Sequence, residues 1–165
     1  MEENQDLIEG RNSVIELLKS GKDINKLYIQ KGERHGSITE IIKLAKNNKV
    51  IIQEVDKIKL DKMSETHNHQ GVIAVVPPYE YCDVDDILED AKSKGEDPVI
   101  FILDGIEDPH NLGSIIRTAE CSGVHGIIIP KRRSALVNST VNKTSAGAVQ
   151  YMKTVSYTHL TLPTT

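Results

Sequence analysis

The chain has 165 residues, 38% hydrophobic and 27% charged, with one Phe, no Trp and a formal net charge of -4. That is enough for one ordinary domain, or a small domain plus part of another, with a core of Ile, Leu, Val and Ala. No apolar run reaches the ~20 residues of a membrane span, the acidic start Met1-Glu2-Glu3 is unlike a signal peptide, and the isolated Cys82 and Cys121 lack metal-ligand spacing. A cytoplasmic protein with no metal and no membrane partner is therefore expected.

The negative charge is unevenly spread. Residues 1–76 carry 12 Lys+Arg against 12 Asp+Glu, residues 77–97 carry 2 against 8, and residues 98–165 carry 6 against 4. The acidic excess sits in one middle segment, so the whole-chain charge does not exclude a nucleic-acid partner.

Residues 1–76 are expected to form a compact α/β module. Ser13-Val14-Ile15-Glu16 is a capping-box pattern opening a helix that ends at Gly21, and Leu27-Tyr28-Ile29 is a short strand. A second capping box at Ser37–Glu40 opens a helix that stops at Asn47-Asn48. Val50–Val55 is a strand, Asp56–Met63 a helical turn, and Gly71–Val76 a strand buried on both faces. Gly10-Arg11-Asn12 stands at the mouth of the first helix, where Arg11 either holds a phosphate or is simply solvated. His67-Asn68-His69-Gln70-Gly71 is either a base-reading loop or a hydrogen-bonding turn, since two His without further ligands make a poor zinc site.

Pro77-Pro78 closes this module. Residues 77–97 read as an acidic linker with at most a short helix around Ile87, Leu88 and Ala91, and as the place where the halves move. Val99–Leu103 is a continuous apolar run, expected as a parallel strand buried on both faces. The loop Asp104–Asn111 follows, then a helix with Ile115, Ile116 and Ala119 at helical spacing, a stop at Gly123, and a strand at Ile127–Ile129. Ligands of open α/β sheets bind beyond the carboxyl ends of the strands, which is where this loop belongs.

In that loop Pro109 fixes the first helical turn, and Asn111 caps the helix or donates to a substrate oxygen. Arg117 lies off the apolar face and either clamps a phosphodiester or pairs with Glu120 or Asp108. Lys131-Arg132-Arg133 follows the next strand, as a phosphate contact or a solvated loop. Ser145-Ala146-Gly147-Ala148 supplies small residues for close packing or close approach to a ligand. Val155–Thr165 has no periodicity that continues the sheet.

The stretch DGIEDPHNLGSIIRTAECSGVHGIII, followed by PKRRS and TSAGAV, resembles motif 1 of the SpoU branch of the SPOUT methyltransferases, the RNA ribose 2′-O-methyltransferases. The first module, with EGRNSVIELL and NHQGVIAVV, resembles the substrate-binding domain of the subfamily acting on large-subunit rRNA. The resemblance implies an α/β protein: an RNA substrate-binding domain over 1–76, an acidic linker over 77–97, and the first part of a parallel-sheet, knotted methyltransferase domain over 98–156. It implies S-adenosyl-L-methionine as cofactor, rRNA as substrate, with a 23S guanosine as target, and a homodimer. Carried over by position, Arg117 and Asn111 are the catalytic pair; Arg11, Gln70, His110, Lys131, Arg132 and Arg133 are the residues expected to contact RNA. The family's later Gly/Glu-rich cofactor loop and Ser-Leu-Asn segment have no counterpart in this chain. The knot segment and the cofactor-binding residues are therefore expected to be missing, residues 157–165 to lie outside the family pattern, and the chain alone to be inactive. Two further functions fit the same residues: a tRNA 2′-O-methyltransferase, and a non-catalytic RNA-binding protein that kept the substrate module.

Overall fold

A computed structural model describes residues 6–158. The first module contains β1 (Asp6–Glu9), α1 (Arg11–Ser20), β2 (Lys26–Gln30), α2 (Ser37–Asn47), β3 (Ile52–Val55), α3 (Lys57–Met63) and β4 (Val72–Val76). They build a four-stranded sheet of order β1-β4-β2-β3, in which β2 and β3 are parallel and β4 runs antiparallel to both β1 and β2. All five β4 residues are buried, as expected for a central strand covered on both faces. Alternate side chains divide between the faces. Leu27, Ile29, Val72 and Ala74 pack under α1 and α2 against Val14, Leu17, Ile38 and Ile41, whereas Ile73 packs with Val55 beneath Leu60 of α3. The three-layer arrangement expected from the alternating elements is present.

Neither capping box forms. The N-caps of α1 and α2 are Gly10 and Gly36, at φ 90° and 62°, without a side-chain cap. Ser13 is the third residue of α1 and is buried, and its hydroxyl is drawn to the carbonyl of Asn142 at 3.4 Å. Strand β1 was not foreseen, because only Leu7 and Ile8 lie between its acidic ends.

The segment expected to be a linker carries α4 (Val84–Lys94), an eleven-residue helix with a capping box between Asp83 and Asp86 and a left-handed stop at Gly95. Its acidic composition concealed a narrow apolar stripe. Ile87 and Ala91 are fully buried, and Ile87 packs with Ile128 and Val155. A Cβ on Gly126 would fall 2.2 Å from Ile87 Cδ1, so the seat of α4 requires glycine there.

The second module continues with β5 (Ile100–Ile102), α5 (Pro109–Cys121), β6 (Gly126–Pro130), α6 (Ser139–Thr144), a 3-10 turn at Ala148–Gln150 and β7 (Lys153–Tyr157). Its sheet, of order β5-β6-β7, is parallel throughout. Two expectations are corrected. The Val99–Leu103 run is not buried on both faces: among the described residues β5 pairs only with β6, and Val99 is 48% and Ile102 59% exposed. And Val155–Tyr157 does continue the sheet, in register with Ile128–Pro130 of β6. The rest of the tail, from His159, lies outside the described residues.

Helix α6 is the wedge between the modules. On one side a Cβ on Gly113 of α5 would fall 1.8 Å from Thr144 Oγ1, so the two helices meet only because position 113 lacks a side chain. On the other, Lys143 Nζ donates to Thr66 Oγ1 at 3.0 Å and to the Asn68 carbonyl at 2.6 Å, and Ser139 Oγ bonds the Glu65 carboxylate. Gly147, at φ 85°, abuts α1, where a Cβ would lie 2.6 Å from Glu16 Cβ. Tyr151 donates to Glu16 Oε2 at 2.9 Å, and partial burial together with that carboxylate pushes its phenol up to about 12. The small residues around Gly147 serve close packing, one of the two roles expected of them.

Candidate nucleic-acid interface

Two polar surfaces contain the residues singled out from the sequence. The first is a cleft of about 700 Å³ in the N-terminal module, framed by the start of α1, the loop after β2 and the turn before β4. Arg11 and Gln70, 59 positions apart, meet here. The Arg11 amide donates to Gln70 Oε1 at 2.9 Å, its Nε to the Gln70 carbonyl at 3.0 Å, and its Nη2 to Glu33 Oε2 at 3.1 Å. Arg11 is thus more than a solvated side chain: its Nε and Nη2 are engaged and its charge is paired with Glu33, with 29% of the side chain still exposed.

The turn below the cleft is held from inside. His69 is 6% exposed; its Nδ1 accepts from the Gly71 amide at 2.9 Å, which assigns the proton to Nε2, 2.8 Å from Asp61 Oδ1. His67 and Gln70 adopt positive φ, 54° and 53°. Glu9, fully buried, anchors the residues just upstream: it accepts from Ser64 Oγ and the Glu65 amide, both at 2.6 Å, and from the Thr66 amide and hydroxyl. Burial alone would raise the Glu9 carboxyl, but these hydrogen bonds outweigh it and hold the group below the ordinary glutamate range. The 67–71 segment is therefore the hydrogen-bonding turn expected, and Arg11 supplies part of it.

The second surface follows the carboxyl end of the parallel sheet and runs along α5. Asp108, not Asn111, caps α5, accepting from the His110 amide at 2.8 Å, with Pro109 in the first turn. His110, Asn111 and Arg117 are all exposed. At about 100° per residue, His110 and Arg117 fall on one stripe two turns apart, whereas Asn111 lies roughly 120° around the helix from Arg117. The geometry of α5 thus aligns Arg117 with His110 rather than with Asn111. Arg117 opens into a recess of about 400 Å³ walled by Glu16, Glu120, Ser145 and Tyr151, and among the described residues it makes no salt bridge, either to Glu120 or to Asp108. Lys131, Arg132 and Arg133, after β6, are likewise exposed and unpaired among the described residues. Their loop is tied to the one after β5 by the Ala135 amide, which donates to the Ile106 carbonyl at 2.7 Å.

Sequence reasoning missed Glu9 and Glu33. Glu33 lies in a polar loop and Glu9 at the end of a strand too short to give a periodic signal, and each acquires its role only through a partner more than twenty positions away. The one available hint was that a strongly charged Glu9 directly precedes Gly10 and Arg11.

Comparison with known proteins extends this geometry. Residues 7–82 match a family described as RNA 2′-O ribose methyltransferase substrate binding, and residues 98–162 match the SpoU rRNA methylase family. Relatives from Staphylococcus saprophyticus and Staphylococcus haemolyticus, provisionally designated TrmH-family tRNA/rRNA methyltransferases, are each 49% identical over 154 residues. Those alignments cover 93% of this chain and 61% of each relative, so the chain spans about three fifths of their length. The SpoU methyltransferase AviRb from Streptomyces viridochromogenes, solved with its cofactor AdoMet, superposes with a TM-score of 0.73 at 21% identity, covering 94% of this chain and 56% of that one. An rRNA methyltransferase from Sinorhizobium meliloti gives a TM-score of 0.71 at 21% identity, covering 95% and 56%. At that identity the shared property is the fold.

Proposed function

This chain belongs to the SpoU rRNA methylase family, and from that premise we propose that the protein methylates a ribose 2′-hydroxyl of RNA with S-adenosylmethionine as donor. The observation that carries the reading is the pairing, in one chain, of a substrate-binding module with a parallel-sheet module whose α5 projects Arg117, without an ion pair among the described residues. The target we favour is rRNA, because a substrate-binding module precedes the methylase module, and within it a guanosine of 23S rRNA, as the family resemblance implies. The acting form is a homodimer, as the family resemblance implies.

A ribose hydroxyl is a weak nucleophile near neutral pH, so methyl transfer depends on orientation and on removal of the hydroxyl proton. A guanidinium stays protonated in proteins. Arg117 therefore acts by clamping the adjacent phosphodiester in bidentate fashion and by stabilising negative charge as it develops on the ribose oxygen. His110, on the same stripe of α5, is placed to contact the neighbouring nucleotide, and Lys131, Arg132 and Arg133 hold the backbone further along. Asn111, off that stripe, orients a substrate oxygen from the helix start.

When bound, S-adenosylmethionine supplies an electrophilic methyl group. The described residues do not enclose it: at the carboxyl ends of β5 and β6, Asp104, Glu107 and Lys131–Arg133 are exposed and offer open surface, not a slot for an adenosyl group.

The test is methyl transfer from labelled S-adenosylmethionine by an intact protein carrying this chain, with 23S rRNA and tRNA offered in parallel. Label is expected on a ribose of 23S rRNA, and Arg117→Ala should lower the rate by about 10²–10³-fold with circular dichroism unchanged. Label on a base would overturn the ribose assignment, label on tRNA alone would replace the rRNA target, and near-wild-type turnover by Arg117→Ala would remove that residue from the mechanism.

A further inference from the structure

We propose that the Arg11–Gln70 cleft receives an unpaired nucleobase of the RNA and reads its edge with side-chain amides, an inference that rests on the RNA reading above. At about 700 Å³ the cleft is large enough for a nucleotide. Its guanidinium is paired, Arg11 against Glu33 at 3.1 Å, and Asp61, 2.8 Å from the Nε2 of a neutral His69, adds a second carboxylate; Lys57 is the lining cation without an ion pair among the described residues. It is therefore poorly suited to hold a phosphate, which is the task of the exposed Lys131–Arg133 loop.

What the cleft does offer is carboxamides. Among the described residues the side chains of Asn12 and Asn68 have no hydrogen-bond partner, and Gln70, whose oxygen accepts from the Arg11 amide, keeps its own NH₂ unengaged. A carboxamide presents a donor beside an acceptor, the pattern that matches a nucleobase edge, and unpaired bases of loops and bulges are the ones that expose such edges. The exposed imidazole of His67 lines the same space and can stack on a base.

These groups sit on a rigid support. Lys143 of the methylase module grips the Asn68 carbonyl at 2.6 Å, and Glu9 fixes the residues just before it. A reading head needs this: discrimination by hydrogen bonds survives only if the groups cannot swing to suit every base.

The experiment is fluorescence anisotropy with labelled pentanucleotides of A, C, G and U, competed with inorganic polyphosphate, which carries the anions without bases. The expected result is a preference of about tenfold or more between the best and worst base, retained when polyphosphate is present. Asn12→Ala and Asn68→Ala should each flatten that preference roughly five- to tenfold without changing the salt dependence. Asn12→Asp, which keeps the shape and replaces a donor by an acceptor, should change which base is preferred; thermal melts of all three variants report that they remain folded. Equal binding of the four pentanucleotides, or a preference untouched by the variants, would overturn the cleft while leaving RNA binding intact. Displacement from the cleft by polyphosphate would make it a phosphate site instead. Failure to bind any RNA would overturn both this inference and the RNA reading.

Discussion

Two cationic regions of this molecule are built in opposite ways. In the N-terminal cleft Arg11 is locked between Glu33 and the Gln70 carbonyl, while on the methylase module Lys131, Arg132, Arg133 and Arg117 stand exposed without ion-pair partners among the described residues. The first arrangement spends its guanidinium on shaping a pocket; the second leaves its charges available to a polyanion. Counting basic residues would treat the two alike, and a net charge of -4 would dismiss both. On the proposals above, partnership, not number, decides which surface answers to salt and which to base identity.

The contrast is broken most directly by replacing Lys131, Arg132 and Arg133 together with Ala. If all three contact phosphates of single-stranded RNA, the slope of log affinity against log salt falls by about 2, and affinity at ~0.1 M salt drops roughly a hundredfold; binding titrations at several salt concentrations measure both. Next in size is Glu9→Ala. It strands the Ser64 and Thr66 hydroxyls and two amides in a buried site. The expected loss is about 3 kcal/mol of stability in urea unfolding, with the salt slope of the basic loop unchanged.

The same carboxylate sharpens the comparison through pH. Because its folded pKa is depressed, Glu9 contributes stability that is complete above the ordinary glutamate range and is lost as pH falls through the lowered folded value. Melting temperatures followed into acid should decline over that window in the wild type, and Glu9→Gln should decline less. The smallest effect belongs to Arg11→Ala. With its charge already neutralised by Glu33, removal should change the salt slope by less than about 0.3, against ~0.7 for a true phosphate contact. A slope change as large as that of one basic-loop residue would erase the distinction between the two regions.

Much of this arrangement was legible in the sequence, and the exceptions share a cause. Strands β2, β4 and β6 and helices α2 and α5 have enough periodic or continuous apolar residues to announce themselves. Arg117 and the basic triplet could be read as exposed because they interrupt apolar runs. Strand β1 and helix α4 could not be read as well, since each buries only two residues in an acidic stretch. Ser13 looked like a cap but is occupied by Asn142, 129 positions away, and Arg11 looked free until Glu33 was brought beside it. Local pattern predicts what a segment does alone; these residues are defined by what folds against them.

On the RNA reading proposed above, Gly147 has a consequence for the shape of RNA the protein would accept. With no room for even a methyl group against Glu16, and with Lys143 and Ser139 fastened to the turn before β4, the seam fixes how far the cleft lies from Arg117. The two modules then act as a caliper. An RNA whose extruded base and target ribose match that span engages both jaws, and the second contact forms at the high effective concentration set by the first. An RNA of the same sequence but different span meets one jaw at a time and forfeits that gain, so spacing becomes a third criterion beside charge and base.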